Sequence, residues 1–249
     1  MQLSEPHPAR RHLTLHETDE RAIDWRPPRA ALLLDPLAAY CSALDNTTAF
    51  MASTVHAGTL QRWYEELCRL KHETLDPLVT ATGRSLRSGL LPAAGGVYAF
   101  WWTGQLEMLR DPTCNRTIEL AGPGGRPVTI HLDDEWLGLA AELPLPLYVG
   151  KTADSISKRV GQHLRLADIR TTPLFEGYKK QPRPTTSCQL RSGVEHLFPR
   201  MADTRALVRN SIGLSYVVLD GDHHAANRFY LEDYAVGLMR PGLNIDIER

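Results

Sequence analysis

The chain has 249 residues, a formal net charge of −1, and a hydrophobic fraction of 43%. This length allows one large domain, or a main domain with a smaller companion. The net charge gives no global indication of nucleic-acid binding, and four widely separated cysteines without a CxxC pair argue against a zinc cluster or a disulfide framework.

The composition of the first residues predicts an N-terminal arm. Residues 1–28 are polar and rich in proline, and they contain no apolar stretch typical of a secretion signal. Asp35 and Pro36 interrupt the longest apolar run, at 30–44, so we expect no membrane span and a cytoplasmic location.

A helical pattern follows from about 30 to 83. Its clearest part is an apolar stripe at spacings of three to five, formed by Leu60, Trp63, Leu67, Leu70, Leu75 and Leu78. "GLLPAAGG" at 89–96 contains Pro and three Gly and predicts a boundary. We therefore assign an N-terminal arm and helical segment to 1–88 and a second domain to 89–249.

The second domain begins with strand patterns. "GVYAFWWTG" at 96–104 is aromatic and ends at Gly, which is typical of a strand. Two β-type runs flank Gly-Pro-Gly-Gly-Arg-Pro within 116–132, which predicts a hairpin. "LDDEW" at 132–136 resembles the acidic start of a helix, and "LPLYVGKT" at 145–152 predicts a further strand.

Helices dominate the remainder. Residues 152–167 predict a helix capped by Thr152 or Asp154, with an apolar stripe at Ile156, Val160 and Leu164. A loop is expected at 171–186, and a shorter helix within "SCQLRSGVEHLFPRM". A strand at 212–220 then precedes a helix at 227–244, which we expect Asn227 to cap and Pro241 to end.

Charge is distributed unevenly along this domain. From Lys158 to Arg209 there are eleven Lys and Arg against four Asp and Glu, whereas from Trp101 to Glu142 there are three against seven. A basic segment is typical of a phosphate-binding face. A pair of solvated helices would give the same pattern, so charge alone leaves both readings open.

Several short motifs occur in an informative order. "GVY" at 96–98 precedes "YVG" at 148–150, Arg159 lies nine residues after Gly150, and His163 follows one helical turn later. "LEDYAVGLMRPGLN" at 231–244 then places a helical Glu before a Pro and an Asn. In this order and spacing the chain resembles the GIY-YIG nuclease superfamily over roughly 95–167 and 213–245.

The resemblance implies a fold and an activity. The fold is α+β, a three-stranded, mainly antiparallel sheet flanked by helices, with a β-hairpin insert and an N-terminal helical segment. Insertions at about 105–144 and 168–211 make the layout similar to the family's restriction endonucleases. The implied function is a DNA endonuclease of restriction or defence type that uses Mg²⁺ or Mn²⁺ and leaves a 5′-phosphate. Cutting both strands of a duplex with one site per chain suggests a homodimer.

The residues themselves fit such chemistry. Hydrolysis of a phosphodiester needs a deprotonated water, neutralisation of the phosphate and help for the leaving oxygen. Arg159 offers a fork of donors for a phosphate, and Glu232 is the candidate ligand of the metal ion. Tyr98 is a candidate to take the proton or position the water, provided that a metal-bound water or a cation such as Lys151 or Arg159 lowers its pKa from about 10. Tyr148 and His163 are second candidates, and the sequence does not choose between them.

Other residues are assigned supporting roles. Gly96 and Gly150 remove side chains where a strand or a substrate must come close, and Asn244 is expected to hydrogen-bond the backbone and close the site. Contacts with DNA are expected from a set of cationic side chains: Lys158, Arg165, Lys179, Lys180, Arg183, Arg191 and His196. Arg191, with Glu195 and His196, also competes with Arg159 for the catalytic arginine role.

Two rival motifs and two rival functions remain. "DHHAAN" at 222–227 resembles the start of a ββα-metal nuclease but lacks the later His, and the carboxylates of "LDDEW" have no nearby Lys. A nucleic-acid-binding module without turnover would not need Glu232 in a cationic groove. A repair-type, structure-specific nickase remains possible as a second enzymatic reading, although no helix-hairpin-helix module is present in the sequence.

Overall fold

The computed structural model describes residues 57–121, 126–139, 144–166 and 189–245. The chain divides into two compact units, Met1–Ala49 and Phe50–Arg249, and every described residue belongs to the second. The predicted arm, the helical pattern before residue 57 and the loop at 171–186 lie outside the described residues.

The described residues form an α+β domain, as the sequence predicts. Two short 3₁₀ turns, Asp76–Leu78 and Asp222–His224, accompany the main elements. The strands are β1 (Gly96–Trp102), β2 (Thr117–Ala121), β3 (Pro127–His131), β4 (Leu145–Thr152) and β5 (Ile212–Val218). The helices are α1 (Ala57–Leu67), α2 (Leu106–Arg110), α3 (Asp134–Gly138), α4 (Ile156–Leu164), α5 (Gln189–Leu197), α6 (Thr204–Ser211) and α7 (Ala225–Met239). None of the described helices is long and apolar enough to cross a membrane.

A three-stranded antiparallel sheet forms the centre of the domain, in the order β4-β1-β5. The middle strand β1 is buried along its whole length, which explains its continuous apolar and aromatic sequence. Tyr98 lies opposite Gly150 on one side and Tyr216 on the other. The predicted three-stranded sheet is confirmed.

The sheet has two buried faces. Alternate residues Tyr98, Phe100 and Trp102 belong to the larger core, together with the apolar stripe of α4, Ile156, Val160 and Leu164. Val97, Ala99 and Trp101 point to the opposite side and are also buried. There α1 and α7 contact β1 and each other. The helix that begins at Ala57 therefore packs within the same compact unit as the sheet, although we assigned it to the N-terminal segment.

Neighbouring segments cover both edges of the sheet. Gly242 and Leu243 donate backbone hydrogen bonds to the carbonyls of Pro146 and Leu147 on β4. On the other edge, His72 exchanges backbone hydrogen bonds with Leu214 of β5. These contacts occupy backbone groups on both edge strands that would otherwise be open to pairing with another chain.

The helix α4 begins later than its sequence predicts. Ser155 caps it by accepting a hydrogen bond from the backbone N–H of Lys158, so the prediction of a Thr152 or Asp154 cap is wrong. The first two amides of the helix, of Ile156 and Ser157, donate to carbonyls of the preceding 92–94 segment. Those helix-terminal donors are therefore already used within the protein.

The helix α7 begins two residues before Asn227, so the predicted Asn227 cap is wrong as well. A 3₁₀ turn at Asp222–His224 leads directly into the helix, and the Asn227 side chain hydrogen-bonds the ring of His224. The helix ends at Met239, where Arg240 adopts the left-handed conformation and Pro241 prevents continuation. The predicted stop at Pro241 is confirmed.

The described parts of the two insertions contain regular elements. Strands β2 and β3 pair as the expected hairpin, and Asp133 caps α3, which confirms the acidic helix start. The short helix predicted near 187–201 is α5. Helices α2 and α6 are not predicted by the sequence patterns; α6 has an Asp203 cap and buried Leu207 and Val208 that were overlooked.

Gly96 shows how closely the elements pack. A Cβ at this position would collide with the backbone carbonyl oxygen of Val217 and lie 2.9 Å from Cδ1 of Ile156. We expect Gly96→Ala to lower the free energy of unfolding by at least about 2 kcal/mol, because neither strand can move without breaking the ladder. The measurement is urea unfolding of the purified protein.

The matched control is Gly237→Ala on α7, where a new Cβ meets no atom within 4 Å. This change is expected to raise the free energy of unfolding by about 0.4–1 kcal/mol, because Ala restricts the unfolded chain more than Gly does. Equal effects of the two substitutions would contradict the packing at Gly96.

Candidate active site

Two tyrosines from neighbouring strands lie on the same face of the sheet. Tyr98 of β1 is fully buried and Tyr148 of β4 is 8% exposed. Their ring centroids are 6.4 Å apart. They are diagonal neighbours, because Tyr98 is opposite Gly150 while Tyr148 is opposite Phe100.

Gly150 makes this arrangement possible. A Cβ at position 150 would lie 2.7 Å from the hydroxyl of Tyr98 and 2.8 Å from Cε1 of Tyr148. These distances are far below ordinary van der Waals contact, so any other residue would displace one of the two rings. The glycine of "YVG" therefore provides the space in which the first tyrosine lies.

Helix α4 supplies His163 and Arg159, one turn apart on the same side of the helix. The hydroxyl of Tyr98 lies 2.9 Å from Nε2 of His163, and the His163 ring is 4.7 Å from the ring of Tyr148. His163 is fully buried, and its Nδ1 has no hydrogen-bond partner among the described residues. The three rings form one packed aromatic cluster.

Burial controls the ionisation of Tyr98. Loss of solvent raises the pKa of this phenol to about 12, although the charge and hydrogen bonding of Arg159 act in the opposite direction. The charge of Glu232 adds to the rise, and hydrogen bonding with Tyr148 opposes it. Arg159 therefore lowers the pKa of Tyr98, as expected of a neighbouring cation, but burial outweighs it and the phenol stays protonated at neutral pH.

His163 is also held neutral. Burial, together with the smaller effect of the nearby Arg159 charge, lowers the pKa of its imidazole to about 3. A neutral ring can accept a hydrogen bond from Tyr98 or donate one to it, depending on the tautomer. The pair therefore fixes orientation without carrying charge.

Arg159 lies at the border between this cluster and solvent. Its side chain is half-buried, and Nη1 donates a hydrogen bond to Oε1 of Gln162, at 3.0 Å. Its charge and hydrogen bonding also lower the pKa of the Tyr98 phenol, against the larger effect of burial. A guanidinium in this position keeps donors available for a planar or tetrahedral anion at the surface.

Glu232 of α7 forms an ion pair with Lys151 of β4. The Glu232 side chain is only 11% exposed, whereas that of Lys151 is 34% exposed. Lys151 is the residue after Gly150 and leaves β4 on the face where α7 packs. Its Nζ also lies 4.7 Å from the ring centroid of Phe229, one turn before Glu232.

Asn244 fastens the end of this arrangement to β4. Its Oδ1 accepts a hydrogen bond from the backbone N–H of Val149 at 2.8 Å, and its Nδ2 donates to the carbonyl of the same residue at 2.9 Å. The expected backbone hydrogen bonding of Asn244 is confirmed. Since Val149 lies between Tyr148 and Gly150, the amide holds the site's edge strand in register.

Glu232 is the acidic side chain of this site to which we assigned a divalent metal ion. Among the described residues, no group of three or more His, Cys, Asp or Glu could hold a metal ion. Mg²⁺ is commonly bound through one or two carboxylates, with waters and phosphates completing its coordination. The carboxylate of Glu232 fits that donor set if the Lys151 ammonium, which now pairs with it, yields to the incoming cation.

The residues expected to contact DNA differ widely in position. Lys158 is exposed and pairs with Asp154 at 2.8 Å. Arg165 caps α4 in the left-handed conformation, with Nη1 4.0 Å from Glu195. His196 is half-buried, and its Nδ1 lies 2.7 Å from the carbonyl oxygen of Ser192. Lys179, Lys180 and Arg183 lie outside the described residues.

The structure corrects the role predicted for Arg191. Its side chain is only 5% exposed and forms an ion pair with Glu195 at 2.7 Å, and Nη1 lies 3.5 Å from the carbonyl oxygen of Leu164 at the end of α4. A guanidinium in this position is not presented to a DNA backbone, so the prediction that Arg191 contacts DNA or replaces Arg159 is wrong. The side chain joins α5 to the end of α4 instead.

Two neighbours of the site were overlooked in the sequence. Gln162 contacts Arg159, and Phe229 contacts Lys151. Phe229 precedes Glu232 by three residues, which places both on the same side of a helix. That spacing was the signal that could have identified it.

No protein-family model matches the chain, and no curated protein matches it either. The resemblance to the GIY-YIG superfamily therefore stays a prediction from the sequence motifs.

The buried histidine predicts a pH-dependent stability. Its pKa is about 3 in the folded protein and about 6.5 in an unfolded chain. Between these values the unfolded state binds more protons, so the His163 contribution to stability falls as the pH is lowered from about 6.5. The limiting slope is about 1.4 kcal/mol per pH unit.

We expect the difference in unfolding free energy between the wild-type protein and His163→Gln to shrink as the pH falls from 6.5 to 4. His131→Gln, at an exposed position of the hairpin, controls for the loss of an imidazole. A His163 imidazole that protonates near pH 6.5 in an NMR titration of the folded protein would contradict the burial argument.

Proposed function

We propose that this chain is a metal-dependent endonuclease of the GIY-YIG type that hydrolyses phosphodiester bonds of DNA. One observation supports the proposal above the others. The phenol of Tyr98 contacts His163, its ring lies near that of Tyr148, and its pKa responds to the charges of Arg159 and Glu232. These residues come from two strands and two helices and are up to 134 positions apart in the sequence.

Binding of the substrate is assigned to the cations at the rim. Arg159 and Lys151 are each partly exposed, and both can approach a phosphate from the surface. The Arg159 fork offers two parallel hydrogen bonds, which orient the phosphate as well as neutralise it. Lys151 supplies a mobile point charge that exchanges between Glu232 and the phosphate.

The reaction adds one water across a P–O bond. The water oxygen forms a bond to phosphorus, the bond from phosphorus to the leaving 3′-oxygen breaks, and one proton passes from the water to that oxygen by way of the solvent. Within the proposal Tyr98 is a positioning residue, because it is fully buried and protonated at neutral pH. It holds Tyr148, His163 and Arg159 in place at the side of the site that the substrate reaches.

Glu232 is the residue that would hold the divalent ion, either Mg²⁺ or Mn²⁺. When bound, such an ion stabilises negative charge on the phosphate and promotes ionisation of water. Lys151 prepares the carboxylate for that role, since its ammonium holds the Glu232 side chain in place by an ion pair while no metal ion is bound. A restriction or defence role, a homodimer that cuts both strands, and a cytoplasmic location remain parts of the same proposal.

Replacement of the carboxylate tests the assignment. We expect Glu232→Gln to lower the rate of plasmid cleavage in Mg²⁺ by at least about 100-fold, because the amide has the same shape but no charge for a cation. The measurement follows supercoiled, nicked and linear plasmid on a gel, with EDTA as the metal-free arm. Glu119→Gln, at an exposed position on the hairpin, is the matched control.

The products separate the alternatives. Linear plasmid supports a duplex-cutting enzyme, whereas nicked plasmid alone supports a nickase. DNA binding without cleavage in either Mg²⁺ or Mn²⁺ supports a binding module. Equal cleavage by Glu232→Gln and the wild-type protein would remove the metal-ligand assignment.

A second test concerns Arg159. We expect Arg159→Lys to lower the single-turnover cleavage rate by about 10- to 100-fold, because an ammonium keeps the charge but loses the bidentate geometry. Lys158→Met on the same helix removes an exposed charge that pairs with Asp154, and its effect on the rate should stay below about threefold. A larger loss in Lys158→Met than in Arg159→Lys would refute the phosphate role of Arg159.

A further inference from the structure

Phe229 is an aromatic side chain at the edge of the candidate site. It is 48% exposed, the highest exposure among the large hydrophobic residues of the described chain. It lies on α7 one turn before Glu232, and Lys151 bridges the two, with its Nζ bound to Glu232 and 4.7 Å from the Phe229 ring centroid. The exposed ring is therefore directly adjacent to the carboxylate and the ammonium.

We propose that Phe229 stacks on a nucleobase of the substrate, next to the phosphate that is cut. This inference rests on the proposed function and specifies how the substrate is held. Every base presents a π-face to an aromatic ring, so stacking needs no particular sequence. A strand whose phosphate is held by Arg159 and Lys151 brings its neighbouring base to the ring that Lys151 already contacts.

The local contacts favour a ligand that is both aromatic and anionic. Lys151 lies over the ring of Phe229, which places a positive charge beside an apolar surface. Leu238, 38% exposed on the same helix, is aliphatic and offers no ring face to a cation or a base. A nucleotide matches both features at once, since its base is apolar on its faces and its phosphate is negative.

The inference has a consequence for the substrate. A base that stacks on Phe229 has to leave the stack of its own strand. The site therefore favours DNA in which the base beside the cleaved phosphate is unstacked, as in a single strand, a flap or a locally distorted duplex.

An abasic substitution in the DNA tests the contact directly. The cleavage position is first mapped on a labelled 30-nucleotide strand, single-stranded and in duplex, with Mg²⁺. Each base within two positions of the cut is then replaced by an abasic site, and single-turnover rates are measured. At one position the abasic site should slow cleavage by the wild-type protein by about 5- to 150-fold. Phe229→Ala should cleave the intact DNA slowly, and the abasic site should not slow it further.

Phe229→Tyr should behave as the wild-type protein does, because the aromatic face is retained, and Leu238→Ala controls for the loss of an exposed apolar side chain. If Phe229 acts only by holding Lys151, the abasic site slows Phe229→Ala as much as it slows the wild-type protein. That result overturns the stacking proposal and leaves the proposed function standing.

If the wild-type protein cuts no DNA in Mg²⁺ or Mn²⁺, the endonuclease proposal fails first. The stacking contact is then decided by the binding of a fluorescein-labelled thymidine 20-mer in EDTA. Phe229→Ala should weaken this binding by at least about fivefold relative to Leu238→Ala. Equal affinities of the two variants would refute the contact.

Discussion

The pairing of Tyr98 with Gly150 is the contact on which the candidate site depends. Because position 150 has no side chain, the phenol of the middle strand lies against the edge strand and reaches His163 on the helix that follows. A larger residue would drive Tyr98 away from β4 and separate it from Tyr148. The two glycine motifs thus have different tasks: Gly96 lets β1 approach β5, and Gly150 makes room for a ring.

The candidate site has a neutral, buried interior and charged side chains at its border with solvent. Burial keeps both Tyr98 and His163 uncharged, so no ion has to be stabilised inside the aromatic cluster. The charged groups Lys151, Arg159 and Glu232 lie where solvent still reaches them in part. The aromatic cluster is therefore neutral, and the charge of the candidate site belongs to three partly exposed side chains.

Much of this fold follows from sequence periodicity and turn chemistry. The apolar run at 96–102, the hairpin and the stripe of α4 predict their elements correctly, because burial of regular faces imposes those periods. The caps of α4 and α7 were misjudged, since several polar residues compete for each helix start and tertiary contacts select one. The burial of Arg191 was equally beyond reach, because its partner Glu195 makes the pair look like a solvated helix face. The pKa of Tyr98 depends on how completely helices cover the sheet, which no local pattern records.

The attachment of residues 242–244 to β4 orders events during synthesis of the chain. Asn244 binds the backbone of Val149 from 95 positions further along. A ribosome must therefore release almost a hundred residues after β4 before the edge of that strand is covered. Until then the edge of β4 lacks the clasp that fixes the strand around Tyr148, so the candidate site can be completed only late in translation.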